Sequence, residues 1–396
     1  MSPLEQPDID LARLRAGRLE RLRAELRRAD VPLAILVNPV SLRYAVDHRE
    51  YASFQSRIPT FSLFVAAEGP VVMHGAFIES SGIIDEFRPS HCLNSFDGGL
   101  DLTEHARRLA GEVKDFLRHM GIGDSFPRVA AERLTPITTQ ALLQAGLEVQ
   151  DAEGLVERAR AIKSAEEVTC LRHSIAVAEH GMERMRDALE PGISENQLWS
   201  ILHQVNIAHD GDWIDGRMLC SGARTNPWIQ EASGKIIQAG ELVAFDTDLI
   251  GPFGYCVDIS RTFHCKPGRP SDEQRRLYRT AYEQLQTNIA LIRPGMGFRE
   301  YADKSWPIPD EFVSSRYGLV AHGVGMADEY PDIVNPQDWE TGGYDGVIEE
   351  NMTLCVESYI GREDGAEGVK LEEQLLVTAD GTQLLSTFPF EEDLLG

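Results

Sequence analysis

Between Ala244 and Phe263 the chain reads AFDTDLIGPFGYCVDISRTF, which sets three aspartates, Asp246, Asp248 and Asp258, inside strongly strand-forming sequence. Side chains two apart in a strand point to one face, so Asp246 and Asp248 converge, and Asp258 joins them if the strands pair through the GPFG turn. A carboxylate on a buried face is costly unless it is paired or bound to a cation. No lysine lies near these three in the sequence, which points to a metal. The same oddity recurs downstream. His322 follows a strand in AHGVG, Glu357 lies in the apolar run LCVES, and Glu372 lies in VKLEEQLLV. Taken singly, each reads as a surface or salt-bridged group. Together, five carboxylates and one imidazole form a hard, anionic donor set, able to hold two first-row divalent or trivalent ions with carboxylates bridging them.

Composition removes several competing classes. Hydrophobic residues make up 42% and charged residues 26% of 396 residues, an ordinary globular balance that excludes a wholly disordered acidic chain. The net charge of −25 repels phosphate backbones and anionic lipid heads, so neither nucleic acid nor a membrane surface is expected as a partner. No apolar run approaches the ~20 residues needed to span a bilayer. The first residues lack the basic-then-apolar order of a secretory signal. Six cysteines are scattered without paired spacing, as in a reducing, cytoplasmic protein.

The length allows two domains. An arginine-rich amphipathic helix is expected near residues 8–29, its basic face solvated. Strands follow at Leu33–Val37, Phe61–Ala66, Pro70–His74 and Arg128–Glu132, with helices near Glu104–Met120 and Pro136–Gln144. That alternation predicts an α/β amino-terminal domain, residues 1–156. ERARAIK, Glu157–Lys163, reads as a charged linker. Ser164 with Glu167, Ser194 with Gln197 and Ser271 with Gln274 each match the capping box, and each opens a long helix. Strand-like runs at Leu242–Ile250, Tyr255–Cys265, Tyr317–Val324, Thr353–Ile360 and Val369–Thr378, with a hairpin signal at Asp380-Gly381, make residues 157–396 an α+β domain.

The order Asp–Asp–His–Glu–Glu in strand contexts, with GYxxDxxRTF around Asp258 and HGVG around His322, resembles the pita-bread metalloenzymes. These include methionine aminopeptidase, aminopeptidase P, prolidase and creatinase. The resemblance implies a carboxy-terminal catalytic domain of two pseudo-symmetric halves around a dinuclear centre, preceded by a creatinase-type α/β domain. The chain departs from the peptidases in three places. The position eleven before Asp258 is Thr247, flanked by aspartates. The position seven after His322 is Glu329 where they carry histidine. SGARTNPWIQE has Trp228 and no histidine. Peptide hydrolysis relies on donors that stabilise the tetrahedral intermediate and protonate the amine, and these histidines supply them in the family.

FDTDL, SGxRTNPW, HGVGxxDE, MTLCVE and KLEEQ are similar to the iron-dependent dimethylsulfoniopropionate (DMSP) lyases of this fold. Carried over residue by residue, that resemblance implies metal ligands Asp246, Asp248, Asp258, His322, Glu357 and Glu372, a base at Asp328 and an active-site Tyr317. It implies two metal ions, iron first, with zinc, manganese or nickel as alternatives. The chemistry is coherent: a proton leaves the carbon next to the carboxylate, and a sulfonium leaving group needs no protonation. Asp328 in GMADEYPD reads otherwise as an exposed turn acid. The sulfonium is drawn to π faces, for which Tyr317, Trp228 and Trp213 are candidates. The lyases' tryptophan loop after RYA is replaced here by RYAVDHREYASFQSRIP, with Tyr51 and Phe54. By analogy, a homodimer is expected in which Tyr51–Arg57 completes the partner's pocket around a small zwitterionic substrate. A hydrolase of Xaa-Pro peptides or of a creatine-like C–N bond is the alternative activity, and a metal-free binding module is a third reading.

Overall fold

The computed structural model describes residues 4–76, 82–122 and 128–396. The chain divides into two compact units, one of Ile9–Arg160 and one of Ala161–Gly396 with the described residues before Ile9.

The amino-terminal unit opens with α1 (Leu11–Arg28), where Asp10 accepts the Arg13 N–H and Leu14, Leu19, Leu22 and Leu26 are buried. Several of its arginines are paired, Arg15 with Asp47 and Arg28 with Glu25. β1 (Leu33–Leu36), β2 (Ser62–Ala66), β3 (Val71–His74), β4 (Glu86–Arg88), β5 (Arg128–Ala131) and β6 (Glu148–Asp151) form one sheet in the order β4-β3-β2-β1-β5-β6. β1 is antiparallel to β2 and parallel to β5. Its four residues are all buried, as expected of a short apolar run in the middle of a sheet. Helices α2 (Thr103–His119) and α3 (Pro136–Gln144) cover it, with Leu109, Val113, Phe116 and Leu142 packed on Ile35, Phe64 and Val72.

The expected linker is a helix. Glu153–Ala161 forms α4, because Leu155, Val156 and Ala159 bury an apolar stripe and neither glycine nor proline interrupts it after Gly154. The two compact units divide after Arg160, within this helix.

In the carboxy-terminal unit all three capping boxes are present. They open α5 (Ala165–Ala188), α6 (Glu195–Ala208) and α7 (Asp272–Leu291). α5 and α6 cover strands β7 (Trp213–Ile214), β8 (Leu219–Ser221), β9 (Leu242–Asp246), β10 (Leu249–Ile250), β11 (Cys256–Val257) and β12 (Ser260–His264), through a core that includes Met182, Trp199, Leu202, Phe245 and Phe263. α7 covers an antiparallel sheet of β13 (Leu319–Val324), β14 (Asp328–Val334), β15 (Thr353–Gly361), β16 (Gly368–Thr378) and β17 (Gly381–Leu384), ordered β14-β13-β15-β16-β17. The hairpin after β16 turns one residue earlier than expected, with Thr378 paired to Gly381.

The two halves are joined by side chains of β12. The Thr262 hydroxyl donates to the Lys370 carbonyl at 2.8 Å and accepts the Lys370 N–H at 3.1 Å. Arg261 donates to the Glu372 carbonyl at 2.7 Å and pairs with Glu373 at 2.6 Å, both side chains buried. These bonds fix β16 against β12 and bring Glu372 beside the aspartates.

Candidate metal centre

His322 lies within β13, not after it. Its Nδ1 stands 3.0 Å from the Gly323 carbonyl, which can only accept, so Nδ1 is the donor there and, in the neutral ring, Nε2 holds the lone pair. Nε2 lies 3.2 Å from Asp258 Oδ2, 3.4 Å from Glu357 Oε1 and 3.5 Å from Glu372 Oε1. Glu357 and Glu372 face one another across β15 and β16, and His322 is opposite Cys355. Gly323 permits the close approach of β13 and β14, since a Cβ there would lie 2.3 Å from the Tyr330 carbonyl oxygen.

The aspartates divide into two groups. Asp248 adopts a left-handed φ of 38°, which aspartate tolerates, and it separates β9 from β10. Asp246 and Asp248 therefore do not share one straight strand face. Asp248, Asp258 and Asp328 each place an oxygen within 4.8 Å of the others. Asp246 turns instead to Lys370, whose Nζ is 2.9 Å from its Oδ2. Thr247 points away, its hydroxyl donating to the Val257 carbonyl at 2.7 Å and accepting the Ile259 N–H at 3.0 Å, which fixes the backbone on both sides of Asp258.

The donor set suits a cation. Asp246 Oδ1, Asp258 Oδ1 and Glu372 Oε1 are buried and accept no hydrogen bond. Burial and like-charged neighbours hold the Asp248 and Asp258 carboxyls well above the usual range and push Glu357 up to about 7. Burial disfavours charge on His322, yet Asp258, Glu357 and Glu372 outweigh it and raise its affinity for a proton, the response of a ring facing three acids. Donor atoms 3.2–3.5 Å apart match the spacing around one ion with ligand bonds of about 2.0–2.2 Å. Asp258, His322, Cys355 and Glu372 form one such group. Cys355 was not foreseen, although it lies two residues from Glu357 on the same strand face.

Asp328 begins β14 rather than sitting in a turn. It is accessible to solvent, in contrast to the buried His322, Glu357 and Glu372. Protein packed around its carboxyl raises its pKa, His322 lowers it, and Glu372, Asp246 and Asp215 raise it further. Glu329 points to the opposite face, where it is buried in an ion pair with Lys163. The position that carries histidine in the peptidases thus serves an internal charge pair.

Tyr317 precedes β13 and packs with Trp228, Cys220, Ala244 and Tyr359. Glu357 and burial hold its hydroxyl in the neutral form. Trp228 is buried and stacks on Tyr359 at 6.2 Å. Both rings face a cation of the protein itself, with Lys370 Nζ 5.1 Å from the Tyr317 centroid and 5.8 Å from that of Trp228. Trp213 packs on Ile250, Cys256, Val324 and Cys355, and its Nε1 donates to Asp215 at 2.5 Å. Tyr51 and Phe54 belong to the amino-terminal unit; Tyr51 is 71% exposed and packs on Phe54, which packs in turn on the exposed Phe96. Among the described residues, no helix is long and apolar enough to cross a membrane.

Residues 169–379 match metallopeptidase family M24. The dimethylsulfoniopropionate lyase DddP of Roseovarius nubinhibens is 34% identical over 98% of this chain and 89% of its own length. That of Roseobacter denitrificans is 33% identical over 98% of this chain and 88% of its own. A solved Xaa-Pro dipeptidase from Bacillus anthracis superposes with a TM-score of 0.74 at 22% identity, covering 95% of this chain and 98% of that one. The α+β, pita-bread architecture is thereby shared with the dipeptidase. The chain belongs to metallopeptidase family M24 and, within it, to the family of the dimethylsulfoniopropionate lyase DddP.

Proposed function

We propose that the chain is a metal-dependent carbon–sulfur lyase that splits DMSP into dimethyl sulfide and acrylate. The observation that carries this reading is the placement of Asp328. It is an exposed residue with a carboxylate oxygen within 4.8 Å of Asp248, which is half-buried, and Asp258, which is buried with His322, Glu357 and Glu372. A metal held by that cluster supplies Lewis-acid stabilisation of charge developing on the substrate carboxylate. Asp328 accepts the proton from the carbon next to that carboxylate. The electrons of the C–H bond become the new C=C bond, and the C–S pair leaves with sulfur as neutral dimethyl sulfide. No group has to protonate the leaving sulfur, which suits a cluster in which His322 is the one histidine among the described residues. Tyr317, kept as a phenol, is available as a hydrogen-bond donor at the same centre. Trp228 forms part of the wall behind it.

The ligand set proposed is Asp246, Asp248, Asp258, His322, Glu357 and Glu372, holding two ions, with iron as the metal. Zinc, manganese and nickel suit the same donors. We propose the domain division at 156/157, a homodimer, and a partner-pocket role for Tyr51–Arg57. The exposed aromatic patch of Tyr51, Phe54 and Phe96 supports the last of these. A cytoplasmic location accords with six free cysteines, five of them buried. The hydrolase alternative asks for a histidine donor where Glu329 is committed to Lys163.

Headspace analysis of iron-loaded protein with DMSP tests the activity. Dimethyl sulfide from the wild type and a loss of at least ~100-fold in Asp328→Asn are expected. No dimethyl sulfide above the Asp328→Asn background counts against the proposal.

A further inference from the structure

Lys370 is the one ammonium in contact with the proposed ligands among the described residues, and it is wholly inaccessible. Its Nζ lies 2.9 Å from Asp246 Oδ2, 2.6 Å from Glu357 Oε2 and 2.9 Å from Glu372 Oε2, and it stands 2.7 Å from Ser260 Oγ. Ser260 in turn donates to Glu372 Oε2 at 2.8 Å. Lys370 therefore meets each of three carboxylates at one oxygen only, by hydrogen bonds to Asp246 and Glu372 and as an ion pair with Glu357.

The opposite oxygens face the other way. Asp246 Oδ1 and Glu372 Oε1 are buried without a hydrogen bond. Glu357 Oε1 and Glu372 Oε1 are the atoms that approach His322 Nε2, at 3.4 and 3.5 Å. The rings of Tyr317 and Trp228 flank the ammonium and limit where it can swing.

We infer that Lys370 is a positioning residue of the centre: it grips the outer oxygens of Asp246, Glu357 and Glu372, aims their inner oxygens at the metal, and restricts each to one-oxygen ligation. The inference rests on the metal-centre reading above. It also accounts for a lysine among five acids. One fixed positive charge offsets part of their mutual repulsion, and a partner that orients a ligand strengthens metal binding from outside the coordination sphere. The same ammonium already occupies the faces of Tyr317 and Trp228, so the sulfonium of a substrate meets other groups.

The test is Co²⁺ titration of the chelator-stripped full chain, read by metal content and by the visible ligand-field spectrum. Lys370→Met is expected to bind Co²⁺ about 10–100-fold more weakly, with an altered spectrum, and Lys370→Arg to recover most of the affinity. Binding by Lys370→Met as tight as the wild type, or tighter, overturns the inference, because the ammonium would then compete with the metal. A crystal structure of the metal-loaded wild type decides the matter without any variant. Nζ kept at the three outer oxygens supports the inference, and Nζ displaced from them overturns it. A wild type that takes up no Co²⁺ overturns the metal reading itself, so the two failures are distinguishable.

Discussion

Glu357 and Glu372 stand directly opposite one another on β15 and β16, with His322 Nε2 3.4 Å from the first and 3.5 Å from the second. Like charges facing across a strand pair repel, and the imidazole nitrogen between them carries no proton to share when neutral. Lys370 offsets part of that repulsion from the outer oxygens, and a metal ion among the three would offset more of it. Metal at about one hundred times its dissociation constant is therefore expected to stabilise the chelated protein by about 2.7 kcal/mol. That corresponds to roughly 5–10 °C in Tm for a unit of this size. Thermal melts with chelator and with re-added iron or zinc check this.

Asp328 is exposed, whereas Asp248 is half-buried and Asp258, Glu357 and Glu372 are buried, so its replacement should separate chemistry from metal binding. Asp328→Asn is expected to lower kcat at least ~100-fold while metal content stays that of the wild type. Kinetics and elemental analysis on the same preparations provide the measurement; an equal loss of metal would make Asp328 a ligand instead.

Lys163 and Glu329 form a pair with side chains 2% and 0% exposed. Removing one partner strands a buried charge. Lys163→Met is expected to cost about 3–5 kcal/mol, and Lys163→Met with Glu329→Leu to recover most of it. Urea denaturation of the two variants reads the difference. Glu329→His, which restores the peptidase residue, is expected to destabilise the fold without creating Xaa-Pro cleavage.

Glu195 gives a pH signature outside the centre. Burial opposes its ionisation, but hydrogen bonds from Ser233, Ser221 and Arg224 outweigh it and hold its pKa below the ordinary 4.5. A group depressed in the folded state contributes stability above its unfolded pKa and loses it as pH falls through the folded value. Glu195→Gln should therefore be less stable than the wild type at pH 7 and show a flatter decline below about pH 4.5. Denaturant midpoints from pH 7 to pH 3.5 measure both effects.

Much of the centre was legible because its residues break a local rule. Acids in apolar strands stand out, and β15 and β16 do bring Glu357 and Glu372 together with His322. The capping boxes at Ser164, Ser194 and Ser271 were legible because the signal is local, the cap and its partner lying three residues apart. Lys370 was not. It sits two residues before Glu372, on the same strand face, but its partners Asp246 and Glu357 come from strands far away in sequence. The absence of a lysine near the aspartates held only along the chain. The Asp248 kink escaped strand alternation because a single left-handed residue redirects a face without any change of composition. Glu157–Lys163 looked like a linker from its charges, whereas Leu155, Val156 and Ala159 decide that it is helical.

The most direct measurement sets the two activities side by side. Metal-loaded protein is given DMSP, and separately a panel of Xaa-Pro dipeptides, with dimethyl sulfide, acrylate and free proline quantified. Equimolar dimethyl sulfide and acrylate, with no proline released, is the predicted result. Proline release without dimethyl sulfide would contradict the elimination chemistry assigned to Asp328.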